Sequence, residues 1–214
     1  MARVPLAVRR KSLSAFNFNQ GKLLAGLGAG LLALLLFQAD VLAHEPVLHD
    51  PRASFFVQSF GDLPDELKTA RVQGKQGILL FFEADGCRYC AAMRKGVLSQ
   101  QVVQDWYRDR FVSIAIDIHG DVDITDFDGV TLPEKMIAEQ RRVFLTPTVS
   151  FIDLDGAEVY RHVGLVKTVE EFLAMGEYVA GRHYFDKEFS VYASSRGVRM
   201  PADTLVTPAE ESSK

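Results

Sequence analysis

"GILLFFEADGCRYC", Gly77 to Cys90, decides how this chain is read. Ile78 to Phe82 is a continuous apolar run bounded by Gly77 and Gly86, the pattern of a strand buried on both faces. The second half holds both cysteines of the 214-residue chain, Cys87 and Cys90. The stretch that follows, through "CAAMRKGVLSQQVVQDWYRDR", is apolar at Met93, Val97 and Val102, which predicts a helix with a break near Gly96 or Ser99. Two thiols three residues apart therefore stand where a buried strand gives way to a helix.

A pair of cysteines can be a staple, half a metal site or an active site. A Cys-x-x-Cys bridge is a poor staple, because closing so short a loop removes little chain entropy. A structural zinc usually takes four Cys or His ligands. There is no second cysteine pair, and the histidines are scattered at 44, 49, 119, 162 and 183. No metal ligand set is assigned on that basis.

Compartment bears on the same question. Arg3, Arg9, Arg10, Lys11 and Lys22 form a basic leader, followed by the 15-residue apolar run Leu23 to Phe37 and then "QADVLA" with Val41 and Ala43 as small residues. This is the pattern of a secretory signal peptide over 1–43, cleaved after Ala43 to leave His44 first. The alternative is an uncleaved anchor. The run is shorter than the roughly 20 residues needed to cross a bilayer, and Gly26, Gly28 and Gly30 interrupt it. Arg9-Arg10 suits a twin-arginine signal only loosely, and no cysteine near the run could carry lipid. The predicted location is the periplasm, with no stable membrane insertion after cleavage. Removal of 1–43 takes away five of 24 basic residues and one of 28 acids, leaving a net charge of −8. That argues against nucleic acid as a partner.

Working outward, residues 44–61 read as an extended, polar segment. Asp62 is a helix N-cap, with Pro64 in the first turn, Leu63, Leu67 and Ala70 at helical spacing, and Gly74 at the end. "FVSIAIDI" is a second strand, apolar at 112, 114, 116 and 118. An acidic stretch follows with Asp117, Asp121, Asp123, Asp126 and Asp128. Its spacing does not fit a calcium loop, since Asp126 stands where glycine is required, and it reads as a solvated loop or partner surface. Thr131 and Glu134 predict a capping box for the helix "LPEKMIAEQRR". "TPTVSFIDL", the turn Asp155-Gly156 and "AEVYRHVG" form a strand hairpin. Thr168 and Glu171 cap a last helix, "VEEFLAMGEYVAG". From about Arg196 the tail loses periodicity and reads as disordered. The order α, β, α, β, α, β, β, α gives an α/β domain over 62–182 with a mixed sheet, followed by an extension over 183–214.

A strand, then Cys-x-x-Cys opening a helix, then Thr146-Pro147 before an edge hairpin, resembles the thioredoxin superfamily over residues 62–182. The "GILLFFEADGCRYC" block, the acidic "DFDG" insertion and "GLVKTVEEFLAMGEYVAGRHY" are most similar to exported thioredoxin-like proteins of the SoxW kind. The resemblance implies a central mixed sheet flanked by helices, with the acidic insertion placed before the helix that precedes a cis-Pro strand. It implies a thiol–disulfide oxidoreductase without a cofactor. Cys87 is the attacking thiol and Cys90 the resolving one. Pro147 is the cis-proline lying against Cys87, and Thr146 pairs with the client backbone. A disulfide-bearing client protein and a membrane electron donor of the DsbD/CcdA kind are the implied partners, with reduction the implied direction.

The residues support and complicate this. Cys87 at a helix N-terminus meets free N–H groups and the positive dipole end, which favour its thiolate, and Arg88 adds a cation. The buried acid that many thioredoxins carry in the first strand falls here on Phe81. Glu83, two residues on and on the same strand face, is either a substitute proton relay or an exposed strand-end acid. Tyr89 lines the client surface or covers the helix. Two other functions remain open: a redox-inactive binding module on the same fold, and a metal- or haem-handling chaperone of cytochrome or sulfur-oxidation pathways.

Overall fold

The computed structural model describes residues 54–198. The proposed signal peptide and most of the tail beyond Arg196 lie outside these residues. A four-stranded sheet in the order β2-β1-β5-β6 forms the centre. Its strands are β1 (Gly77–Glu83), β2 (Phe111–Asp117), β5 (Thr148–Asp153) and β6 (Glu158–Val163). β1 runs parallel to β2 and antiparallel to β5, and β5–β6 is the expected hairpin. The sheet is therefore mixed, as the element order required.

Helices cover both faces. On one side lie α1 (Leu63–Val72) and α4 (Glu134–Gln140). On the other lie α2 (Arg88–Met93), α3 (Gln101–Arg110), α5 (Val169–Ala180) and α6 (Phe189–Ser195). The capping chemistry is local. The Asp62 carboxylate accepts the Asp65 N–H at 2.8 Å to start α1, and the Thr168 hydroxyl accepts the Glu171 N–H at 3.1 Å to start α5. β1 alternates between the faces, with Leu79 and Phe81 in one core and Ile78, Leu80 and Phe82 in the other.

Several expectations are corrected. The helix after the cysteines does break, through a π-helical turn over Arg94–Leu98 and a second start at Gln101. Gln100 leaves helical geometry, so the restart at Gln101 sets a new phase in which Val103 is buried while Val102 is exposed. β2 is buried on both faces, because Phe111 and Ser113 are covered as well as the even positions. The capping box at Thr131 and Glu134 does not form. Thr131 belongs to a short strand, β4 (Thr131–Pro133), paired with β3 (Asp123–Thr125), and its hydroxyl sits 2.9 Å from that of Thr125. Glu134 instead accepts the Asp117 N–H at 3.2 Å.

The acidic stretch is not simply solvated. Ile124 and Asp126 are buried, and Asp126 takes a 2.6 Å bond from Arg141. Nor is the segment before Asp62 wholly polar: Phe55 and Phe56 are buried in the main core. Past α5, a 3₁₀ turn (His183–Phe185) and α6 add Phe189, Tyr192 and Ala193 to the same core.

Candidate redox site

The cysteines sit where the end of β1 meets α2. Gly86, at φ +71°, turns the chain after the strand, and the Cys87 N–H closes that turn on the Ala84 carbonyl at 3.2 Å. A left-handed residue here is the one conformation that favours glycine. Cys87 then occupies the N-cap of α2, and its Sγ accepts the Cys90 N–H at 3.1 Å. A donor aimed at sulfur favours the thiolate over the thiol, as does the positive end of the helix. The two sulfurs are joined in a disulfide with the Cα atoms 5.3 Å apart. They are unequal: Cys87 is half-buried, whereas Cys90 is 2% exposed. Cys87 is therefore the more solvent-accessible of the two.

Arg88 and Tyr89 are both exposed. The Arg88 guanidinium lies 4.6 Å from the Tyr89 ring centroid and donates to its hydroxyl at 2.7 Å. The two exposed side chains are thus bound to each other next to Cys87 in the chain.

Thr146 and Pro147 reach the site through sheet register. Thr148 pairs with Phe82, so the residues just before β5 stand at the end of the sheet where β1 leads into the cysteines. The Thr146–Pro147 bond is cis. Pro147 is buried, and its carbonyl accepts the Gly164 N–H at 2.8 Å. Phe144 and Leu145, immediately before it, are 71% and 66% exposed. Sequence reading passed over this apolar pair; the signal available was "VFL" directly before Thr146-Pro147.

Glu83 is not an exposed strand-end acid. Arg94 holds it with two donors, Nε to Oε2 at 2.7 Å and Nη2 to Oε1. The carboxylate is 18% and the guanidinium 13% exposed. Arg94 was also missed, although its position four residues after Cys90 places it on the same helix face. Both members of the pair line a cleft of about 460 Å³ shared with Cys87, Cys90 and Asp117. Across the strands, Asp117 pairs with Glu83, and Glu134 reaches in to bond the Asp117 backbone. Burial pushes the Glu134 carboxyl above its ordinary range, and the Asp117 and Glu83 charges push it the same way. Among the described residues no three His, Cys, Asp or Glu side chains are grouped to hold a metal ion.

The family model described as a thioredoxin-like domain matches residues 63–180. A thioredoxin-fold protein from Helicobacter pylori is 20% identical, with 67% of this chain and 92% of that one covered and a TM-score of 0.53, which shows a shared fold. A thioredoxin from Thermus thermophilus is 28% identical over 54% of this chain and 82% of that one, with a TM-score of 0.42. The DsbD C-terminal domain of Neisseria meningitidis, in its oxidised form, is 18% identical over 53% and 89%, with a TM-score of 0.39. Among curated proteins nothing matches the chain.

Proposed function

The chain belongs to the thioredoxin-like domain family, and from that premise we propose that it is an exported protein thiol–disulfide oxidoreductase acting as a reductase. The observation that carries the reading is the asymmetry of the pair. Cys87 is reachable and its sulfur is held by an N–H bond, while Cys90 is buried one turn behind it. The Cys87 thiolate attacks a client disulfide, giving a mixed disulfide and one released client thiolate. The Cys90 thiolate then attacks Cys87 Sγ, the bond to the client breaks, and the client leaves with both sulfurs reduced. The protein is left as the Cys87–Cys90 disulfide and needs two electrons and two protons to return. A membrane-borne dithiol donor of the DsbD/CcdA kind supplies them. Thr146 pairs with the client backbone, beside Pro147, and the Arg88–Tyr89 surface flanks the client on the other side.

Export rests on the basic leader and apolar run of residues 1–43. Among the described residues no helix is long and apolar enough to cross a membrane. The mature protein is expected to begin at His44, which its intact mass would register.

Trapping tests the cycle. In a Cys90→Ala protein, Cys87 should accumulate stable mixed disulfides with exported proteins, all released by reductant, and a Cys87→Ala protein should accumulate none. No adduct on Cys90→Ala would sink the assignment. Direction is tested by the reduction potential. A value near that of thioredoxin, about −270 mV, fits a reductase, and one near that of DsbA, about −120 mV, makes the protein an oxidant.

A further inference from the structure

Resolution of the mixed disulfide demands a Cys90 thiolate, since the thiol does not attack. Burial makes that charge costly, and Cys90 is 2% exposed. Phe81 of β1 shares the main core with Cys90, fully buried and without any atom able to take a proton or offset a charge. A cation is present instead. Arg94 follows Cys90 by four residues on one continuous helical stretch, and helical side chains lean back over the preceding turn, here the turn of Cys90. The guanidinium is fixed there by three contacts. It lies 4.7 Å from the Phe56 ring centroid and 5.5 Å from that of Phe81, and Glu83 grips its edge. The Nη1 atom is buried without a hydrogen-bond partner, so Glu83 does not exhaust its donors.

We propose that Arg94 sets how readily Cys90 ionises, with Glu83 as its counterweight. The proposal rests on the Cys87–Cys90 cycle given above and names the residues that tune its second step. Arg94 favours the thiolate and Glu83 opposes it, both acting across the cleft they share with the cysteines. The proton leaves Cys90 for solvent in that cleft. The sulfur then attacks Cys87 Sγ, the Cys87–client bond breaks, and the electron pair departs on the client sulfur. A paired cation in this place does a different job from a lone buried carboxylate, because its two halves can be removed separately with opposite results.

That opposition is the test. In a full-length Cys87→Ser protein Cys90 is the sole thiol, and its thiolate can be followed by ultraviolet absorbance across pH. Arg94→Gln should move the midpoint up by about one pH unit, a tenfold loss of thiolate below the midpoint. Glu83→Gln should move it down. Arg94→Lys keeps the charge and should return the midpoint most of the way. A merely structural role moves Arg94→Gln and Glu83→Gln together or not at all, and either result overturns the proposal. So does Arg94→Lys titrating like Arg94→Gln. Trapping on Cys90→Ala leaves Arg94 and Glu83 intact, so the cycle and the role of Arg94 can fail independently.

Discussion

The two faces of the central sheet are built from different materials. The face under α2, α3, α5 and α6 is aromatic: Tyr107 stacks on Phe172 at 4.5 Å, Phe111 meets Phe151 edge-on at 5.4 Å, and Phe55 and Phe56 close the near side. The face under α1 and α4 is mainly aliphatic, with Ile78, Leu80, Ile114, Ile116, Ile137 and Ile152 around the buried Phe82 ring. The cysteines and the Glu83–Arg94 pair belong to the aromatic side. Large rings bury more area per residue and have few rotamers, so they hold a helix N-terminus in one place. The aliphatic side carries the acidic stretch, which Ile124 anchors in that core and Arg141 holds through Asp126. One face holds the cysteine helix by packing; the other holds the acidic stretch by packing and an ion pair together.

The comparison breaks most readily at Phe172. Its ring touches Tyr107 and Phe55, and Phe172→Ala should cost about 3–5 kcal/mol in denaturant unfolding. Ile114→Val on the opposite face should cost about 1 kcal/mol. Equal losses would mean that the aromatic face carries no special share of stability. Tyr107 also donates to the Phe172 carbonyl at 2.5 Å, a bond the substitution leaves available, so the loss reports on the ring.

Charge on the aliphatic side gives the next effect. The side chains of Asp126 and Arg141 are 11% and 15% exposed, and Arg141 Nε is already buried without a partner. Asp126→Ala should cost about 3 kcal/mol, because it leaves a guanidinium buried against the Phe127 ring with its partner gone. The double replacement Asp126→Leu with Arg141→Met should recover most of that loss. If the double variant is as unstable as the single one, packing at Ile124 rather than charge holds the acidic stretch.

These contrasts also explain what was legible in the sequence. Strand β1, the hairpin at Asp155-Gly156 and the helices capped by Asp62 and Thr168 could be read because each signal is local: an apolar run, a turn pair, a side chain reaching three residues on. The Cys-x-x-Cys at a helix start and the cis bond before Pro147 could be read because their spacing and flanking elements have few other uses. What escaped depended on distant partners. Thr131 looked like a cap until strand β3 claimed it for pairing. Asp126 looked solvated because its partner Arg141 is 15 residues away. Phe55 and Phe56 lie before the first helix, where no periodicity marks them for the core. Glu83 was visible as an acid on the correct strand face, but its state depended on Arg94, which only the fold brings to it.

The smallest effect lies where the two faces meet, at Glu134. This residue begins α4 on the aliphatic side, yet its carboxylate bonds the Asp117 backbone and feels the Glu83 charge beside the cysteines. Burial chiefly, then those neighbouring charges, raise its folded pKa above the unfolded value. A raised carboxyl pKa means that the folded state binds the proton more tightly. The stability this contributes is complete below the unfolded pKa, near 4.3 for glutamate, and is lost as pH rises through the folded pKa. At neutral pH the charged Glu134 is therefore a small burden. Glu134→Gln keeps an oxygen to accept the Asp117 N–H and removes the charge. It should raise the unfolding free energy at pH 7 by less than about 1 kcal/mol after solvent screening, with the gain fading below about pH 4. A gain that persists at pH 3 would assign the effect to packing instead. A loss at pH 7 would mean that the ionised carboxylate is needed where it stands, as acceptor of the Asp117 N–H.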